Sequence, residues 1–339
     1  MITVTVSIPT YNRSGYLKEA INSVLAQTFT DFKLLITDNC SQDGTRELVE
    51  DYITRDSRII YHRFPSNQGP ALNWRYALAT PDTELVAFLL DDDLWMTKHL
   101  EHAVRAMTEF PDASLYCCKT EAFGDSPDSI GSMYTPLWLA NRQTITVYDA
   151  GNNFAPLLMG TPMAASSIVF RRRFLDKVNI LNDNTFYPGD YFLWAQMALQ
   201  GSIVYEPVVH ARYRWHARND SVRIRGTRRA SAQHRYVLRQ LAIMGLKKKV
   251  LDLDRLADEA VSWPAVPLSN LIVAFAVLDA PVSLRKMAFQ LFWKRRNDME
   301  FPKISRHYQI ARQVGAWYLL FADLMDRAVS GWWKPKGIE

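Results

Sequence analysis

Three consecutive carboxylates, Asp91, Asp92 and Asp93, follow directly on the apolar run Val86-Ala87-Phe88-Leu89-Leu90. Charges of one sign packed this closely repel, and a hard divalent cation with oxygen ligands is the simplest partner that relieves them. Such an ion can also hold a diphosphate. Taken alone, the triplet also admits a plainer role as a solvated acidic turn capping the next helix, the less favoured of the two. A fourth carboxylate, Asp190, follows Pro188-Gly189 at a helix start between aromatic residues. Backbone N–H groups stabilise a charge there, so Asp190 is placed to act as a base, or simply as an N-cap. Tyr11 can lay its ring on a nucleobase and Asp38 can accept a ring N–H; a half-buried loop aromatic and an Asx-turn are the plainer roles for these two. His216, within Arg214-Trp215-His216-Ala217-Arg218-Asn219-Asp220-Ser221, is a lone histidine, more often structural than a ligand.

The elements that carry these groups alternate. Val4 to Ile8 reads as a strand stopping at Pro9, with Ser14 as helix N-cap after the loop Pro9-Thr10-Tyr11-Asn12-Arg13. Leu17, Ala20, Ile21, Val24 and Leu25 then repeat at helical spacing. A second strand, Lys33 to Thr37, enters Asp38 to Thr45 and a helix over Arg46 to Ile53; a third, Arg58 to Tyr61, enters Pro65 to Pro70 and a helix to about Leu78. The run before Asp91 is continuous and apolar, as in a strand buried on both faces. This alternation predicts an α/β fold with a mostly parallel, doubly wound sheet and right-handed crossovers, whose ligands gather at the strands' C-terminal ends. Further on, Thr97 is expected to cap a helix, Ala113 to Cys118 to form a strand, and Phe123 to about Asn141 an irregular loop or insertion. Short strands are expected at Ser167 to Phe170, Ile203 to Tyr205 and Val208 to Tyr213. From about Thr227 long helical patterns take over, placing a boundary near 226 between residues 1–226 and a helical region 227–339.

Composition excludes several classes. The 339 residues, 48% hydrophobic, are ample for a large core. A net charge of +5 permits an anionic partner without demanding nucleic acid. Cys40, Cys117 and Cys118 offer neither a disulfide framework nor a zinc spacing, which points to a reducing cytoplasm. The alternating start Met1 to Val6 lacks a basic leader, and no apolar stretch reaches membrane-spanning length. Neither a Gly-x-Gly-x-x-Gly after the first strand nor a Gly-Lys-Ser/Thr loop occurs, so dinucleotide redox chemistry and P-loop phosphoryl transfer lose their signatures.

Together the motifs resemble the inverting family 2 glycosyltransferases of the GT-A fold, over roughly residues 3 to 221. Val6 to Arg13 resembles the family's opening strand and loop, Leu17 to Gln27 its first helix, Ile36 to Thr45 its second nucleotide-contacting loop, and Asn67-Gln68-Gly69 with Asn73 its third segment. The resemblance implies a nucleotide-binding part over about 1–118 and an acceptor part over about 119–226. It implies nucleotide contacts from Pro9, Thr10, Tyr11, Arg13, Asp38, Asn67, Gly69, Asn73, Asp91 and Asp92. Asp91 and Asp93 would hold Mn²⁺ or Mg²⁺ as the ion-facing pair, joined by His216, with Trp194 and Arg218 at the acceptor and diphosphate. Asp190 stands where the family has its general base, preceded by Gly189 where a Glu is common; Leu72 stands where some members carry Arg. The implied activity is metal-dependent, inverting transfer from a nucleotide-sugar, a UDP-sugar foremost, to a hydroxyl of a glycan or lipid-linked acceptor in surface polysaccharide or glycoconjugate synthesis.

Two other classes compete. A nucleotidyltransferase would want a Gly-rich, Lys/Arg-bearing loop after the first strand, which Pro9-Thr10-Tyr11-Asn12 is not. A nucleic-acid-binding module could use the basic stretch Arg212 to Arg235, but a polyanion would have to avoid Asp91 to Asp93, so no nucleic acid is expected. Beyond 227, Lys247-Lys248-Lys249, Phe289 to Arg296, Gly315 to Phe321 and Trp332-Trp333-Lys334 set aromatics beside cations. This suits a peripheral contact with an anionic membrane, at the inner face of the cytoplasmic membrane. Helices packed on the catalytic domain or in a homodimer account for the same pattern.

Overall fold

A computed structural model describes residues 4–125, 142–149, 154–158, 163–180, 188–219, 228–260, 270–272, 274–276 and 280–295. The chain divides into two units, Met1–Asn153 with Thr161–Arg223, and Phe154–Gly160 with Ile224–Glu339. The expected irregular loop falls mostly outside the described residues, as do the C-terminal runs Gly315 to Phe321 and Trp332-Trp333-Lys334.

In the first unit, β1 (Val4–Thr10) is buried along its whole length, which its run of β-branched residues favours. It pairs in parallel with β2 (Phe32–Asp38) on one side and β4 (Leu85–Phe88) on the other, and β2 pairs in parallel with β3 (Ile59–Arg63). Helices α1 (Ser14–Leu25), α2 (Thr45–Arg55) and α3 (Pro70–Ala79) connect them. Then come β5 (Leu94–Trp95), α4 (His99–Glu109), β6 (Ala113–Gly124), β7 (Thr146–Tyr148), β8 (Val169–Arg171), α5 (Gly189–Ala198) and β9 (Ser202–Trp215). The sheet runs β3-β2-β1-β4-β8-β6-β9-β5, with β7 also on β9. The parallel α/β half is the one expected. Between it and the parallel pair β6 and β9 sits β8, antiparallel to both its neighbours.

Several boundaries move, each for a tertiary reason. The strand expected to end at Cys118 runs to Gly124 because β9 pairs with it throughout. Gly124 has φ +107°, and a Cβ there would lie 2.4 Å from the Trp215 carbonyl oxygen, so only glycine lets the two strand ends meet. The two strands expected at 203–205 and 208–213 are one, β9, kinked at Pro207: the register passes from Cys118↔Glu206 to Lys119↔Val209. Thr97 does not cap α4, which starts at His99 with no side-chain cap.

Ser14 is the first residue of α1 rather than its cap. Asp43, 29 residues away, takes the capping role: its Oδ2 accepts the Ser14 N–H at 2.8 Å, and Oδ1 accepts the Thr45 hydroxyl at 2.6 Å. Burial pushes the Asp43 carboxyl up, but the bonds from Ser14 and Thr45 outweigh it and hold it below the usual range. Its stabilising contribution is therefore present above the unfolded-state value and lost as pH falls through the lowered one. Asp43→Ala is expected to cost about 1 kcal/mol, read as a fall in Tm of roughly 2–4 °C.

The second unit joins α6 (Arg228–Lys247), α7 (Leu253–Ala260) and α8 (Val282–Arg295) with the helical turn Phe154–Leu157. Gly245 on α6 admits the Phe154 ring: a Cβ there would meet Cε1 at 2.7 Å. Leu256 of α7 and Leu284, Ala288 and Phe292 of α8 are buried.

Candidate active site

The C-terminal ends of β1, β2 and β4 stand side by side, with Thr10 opposite Asp38. Asn39 N–H donates to the Thr10 carbonyl oxygen at 3.0 Å, and Asn73 Nδ2 reaches the same oxygen at 3.2 Å. Thr10 Oγ1 donates to Asp91 Oδ2 at 2.8 Å, tying the first loop to the acidic segment. Arg13 Nη1 then bridges Asp91 Oδ1 at 3.0 Å and Asp92 Oδ2 at 2.9 Å. The guanidinium thus occupies the position of counterion to two buried carboxylates, an arrangement without which two adjacent charges would be costly.

The three aspartates have different surroundings. Asp93 is fully buried; its Oδ2 accepts the Ser166 hydroxyl and its Oδ1 the Arg214 N–H at 2.8 Å. Asp92 Oδ2 faces His216 Nε2 at 3.1 Å and Asn219 Nδ2 at 3.5 Å, and its carbonyl oxygen accepts Arg214 Nε at 2.8 Å. Burial first, then the charge of Asp92, push Asp91 up to about 6 against the pull of Arg13 and Thr10. Asp93 is raised well above the carboxylate range for the same two leading reasons. The cluster is short of positive charge, and an all-oxygen donor set suits Mn²⁺ or Mg²⁺. The pair expected to face the ion was Asp91 with Asp93. Both Asp93 oxygens already serve Ser166 and Arg214, as both Asp91 oxygens serve Thr10 and Arg13, so the hydrogen bonds alone do not choose between these two as ion ligands.

His216 is buried and stacks on Tyr16 at 4.9 Å between centroids. The Arg218 backbone N–H donates to Nδ1 at 3.1 Å. Nδ1 is therefore the unprotonated nitrogen, and Nε2 carries the proton that it directs to Asp92. To ligate an ion through Nε2 the ring would have to take the other tautomer and give up the Arg218 bond at Nδ1; as it stands, it fixes Asp92. Arg218 contributes its carbonyl oxygen, which accepts Arg13 Nη2 at 3.2 Å, while its side chain is exposed.

Around the expected nucleoside seat, Tyr11 is 42% exposed and Pro9 is buried in β1. Asp38 is fully buried and accepts Ser41 N–H at 2.9 Å and the Tyr61 hydroxyl at 2.7 Å. Asn67 Oδ1 accepts from Asn39 Nδ2 at 2.9 Å and from the Gly69 N–H at 2.8 Å, joining the second and third loops. Among the described residues the buried Asn73 Oδ1 has no hydrogen-bond partner.

Asp190 lies in the first turn of α5, where the Tyr191 N–H donates to its Oδ1 at 2.8 Å. Burial raises its pKa, and the backbone bonds from Tyr191 and its own N–H lower it by less. Among the described residues it makes no hydrogen bond to the aspartate network; its helix is anchored to the sheet through Trp194. Trp194 packs on Phe88 of β4 and Phe170 of β8, with centroids 6.4 and 5.8 Å away. That packing corrects the expectation for Trp194: it is fully buried between two strands and cannot face an acceptor. Residues that sequence reasoning missed include Ser166, Arg214, Asn219, Tyr61 and Asn39. Arg214 and Asn219 flank His216 closely enough to have been found; nothing marks Ser166.

Strand ends that gather carboxylates in a sheet of this order define a GT-A type domain. The profile of "Glycosyl transferase family 2" matches residues 5–178, and the chain belongs to that family of transferases. Of the classes weighed from the sequence, this is the glycosyltransferase one. A "Putative teichuronic acid biosynthesis glycosyltransferase TuaG" of Bacillus subtilis is 36% identical over 106 residues, 31% of this chain and 42% of that protein. An "Uncharacterized glycosyltransferase RT0329" of Rickettsia typhi is 24% identical over 215 residues, 63% of this chain and 64% of that one. The matched segments thus span less than two thirds of these relatives. Among solved structures, S. aureus TarS 1–349 in complex with UDP-GlcNAc has a TM-score of 0.57 at 16% identity, covering 100% of this chain and 95% of that one. The mannosyltransferase PcManGT from Pyrobaculum calidifontis, in complex with GDP-Man and Mn2+, has a TM-score of 0.52 at 17% identity, covering 98% and 88%. At these identities the likeness shows the fold alone.

Proposed function

We propose that this glycosyltransferase moves a sugar, with inversion, from a nucleoside diphosphate donor to a hydroxyl of a glycan or lipid-linked acceptor, in surface polysaccharide or glycoconjugate synthesis. The observation that carries this is the cluster Asp91, Asp92 and Asp93 at the end of β4, buried, bridged by Arg13 and adjacent to the loops of Thr10 and Asp38. Asp91 and Asp92 would hold Mn²⁺ or Mg²⁺, with Asp93 and His216 fixing their orientation. A cation held there would offset charge on the departing diphosphate. Tyr11, Asp38, Asn67 and Gly69 seat the nucleoside; one structural neighbour is in complex with UDP-GlcNAc and another with GDP-Man, so both base and sugar are left to the donor panel.

Asp190 is the general base. It accepts the proton of the acceptor hydroxyl as that oxygen attacks the anomeric carbon from the face opposite the diphosphate, so one displacement inverts the centre. Its raised pKa, caused by burial, makes it a stronger base than an exposed aspartate. A panel of nucleotide sugars with Mn²⁺, read by thermal shift and then by product formation, tests the whole reading. Stabilisation by a UDP-sugar only when the cation is present is the expected result; donor binding indifferent to the cation would refute it.

No helix among the described residues is long and apolar enough to cross a membrane. On α8, however, Phe289 and Trp293 are 45% and 56% exposed and stack on each other beside Lys294. Aromatic rings next to lysine suit the headgroup layer of an anionic membrane. The full-length protein is expected to sediment with anionic vesicles, and Phe289→Ala with Trp293→Ala to reduce the bound fraction. A concentration-dependent dimer that ignores vesicles would instead assign the face to a second copy.

A further inference from the structure

On α4 and β9, His102, Glu206 and His210 bring three metal-ligating side chains together. One ligand atom of each lies within 4.8 Å of the other two. His102 Nδ1 is 2.8 Å from Glu206 Oε1, His210 Nε2 is 3.7 Å from Glu206 Oε2, and the two imidazole centroids are 4.2 Å apart. The side chains of Glu206 and His210 are 5% and 7% exposed, and that of His102 is 20% exposed at the rim.

The backbone is shaped for this meeting. Residues four apart on a regular strand stand roughly 13 Å apart, which keeps their side chains separate. Here Pro207 and Val208 fall between the paired positions Glu206 and Val209, forming a bulge that shortens the path. Proline cannot donate to the ladder and is at home in such a bulge, whose usual effect is to re-aim side chains. Glu206 and His210 of β9 are thereby turned together onto His102 of α4.

Two further contacts bear on a ligand. Tyr116 Oη donates to Glu206 Oε2 at 2.7 Å, which fixes the carboxylate plane as a supporting hydrogen bond does at metal centres. Among the described residues His210 Nε2 is buried with no hydrogen-bond partner, although it lies 3.7 Å from Glu206 Oε2, and a buried polar atom left in this state calls for a missing one. Arg105 covers the open side: its Nη2 is 3.1 Å from His102 Nδ1 and 3.5 Å from Glu206 Oε1, on a side chain 57% exposed and free to swing into solvent.

We propose that His102, Glu206 and His210 form a zinc site, separate from the cation site of the aspartates, with water completing the coordination. Two imidazoles and a carboxylate are a donor set that zinc takes readily. Bond lengths of about 2.0–2.2 Å in a tetrahedron put neighbouring ligand atoms about 3.4 Å apart, so small rotations close the cluster on the ion. The site clamps α4, which follows the acidic segment through β5, to β9, whose far end carries Arg214 and His216. An ion that binds only the folded chain raises its stability.

The test uses the full chain carrying Asp91→Asn and Asp92→Asn, so that zinc on the acidic cluster does not count. After chelator treatment, addition of Zn²⁺ and gel filtration, one equivalent of zinc is expected to be retained, with a higher Tm than the metal-free protein. His102→Asn in the same background, at a partly exposed position, is expected to lose both. Arg105→Ala keeps every ligand, removes the competing cation, and is expected to tighten zinc binding several-fold. No retained zinc in the parent, or equal zinc in His102→Asn, overturns the proposal, as does weaker binding in Arg105→Ala.

Discussion

Asp190→Asn is expected to lower kcat for sugar transfer by roughly 10²–10⁴-fold while leaving the dissociation constant of the donor nearly unchanged. The amide keeps an oxygen for the Tyr191 N–H that now holds Asp190 Oδ1, so the first turn of α5 is preserved. What is lost is a group able to take a proton. Burial raises the pKa of Asp190, so in the parent the acid limb of kcat/KM is expected above the ordinary carboxylate value of 3.8, activity falling as pH falls through the raised value. The variant's residual rate should lack that limb. Linkage gives a second readout. A carboxyl raised on folding stabilises the chain at pH below its unfolded value, and this contribution disappears as pH rises through the folded one. At neutral pH the parent carries the cost of a buried charge that the amide avoids, so Asp190→Asn is expected to melt no lower than the parent. Parallel loss of donor affinity, or an acid limb that survives the substitution, would show that Asp190 is not the base.

Legibility in the sequence followed the range of the interactions involved. The parallel half of the sheet could be read because each strand is a local apolar run ending in a polar loop, and strand ends are where charged residues stand out. Thus Thr10, Arg13, Asp91 and Asp92 were found and do meet. Asp43 as the cap of α1, Ser166 as the partner of Asp93, and the Pro207 bulge all depend on segments brought together across the fold, and no local period announces them. Trp194 was misread for a related reason. Every residue from Tyr191 to Ala198 is buried, so α5 has no polar side from which to tell an aromatic that lines a site from one that fills the core. The roles within the aspartate triplet could not be ordered either. Three identical residues carry no information about which one Ser166 and Arg214 engage, and only the packed structure separates them.

That separation leads to the second large effect: Asp92→Asn is expected to weaken cation-dependent donor binding by more than about 100-fold, while His216→Phe weakens it by about 10–100-fold, the range typical of groups that orient a metal ligand. Asp92 Oδ2 gathers Arg13, His216 and Asn219, and Asn retains an oxygen for them but no charge. The charge of Asp92 is also the second-largest reason that Asp91 and Asp93 are raised, so its removal relieves repulsion in the cation-free protein. The variant is accordingly expected to melt at or above the parent without a cation, and to lose the stabilisation that Mn²⁺ and donor together give the parent. A residue kept only for structure would behave in the opposite way, lowering the cation-free Tm and leaving the cation-dependent shift intact. Arg13 sharpens the distinction, because its guanidinium now bridges the two carboxylates that the ion would take. Arg13→Met removes that internal competitor, and cation affinity measured without donor should rise; a fall would mean that Arg13 holds the carboxylates in place for the ion rather than standing in for it.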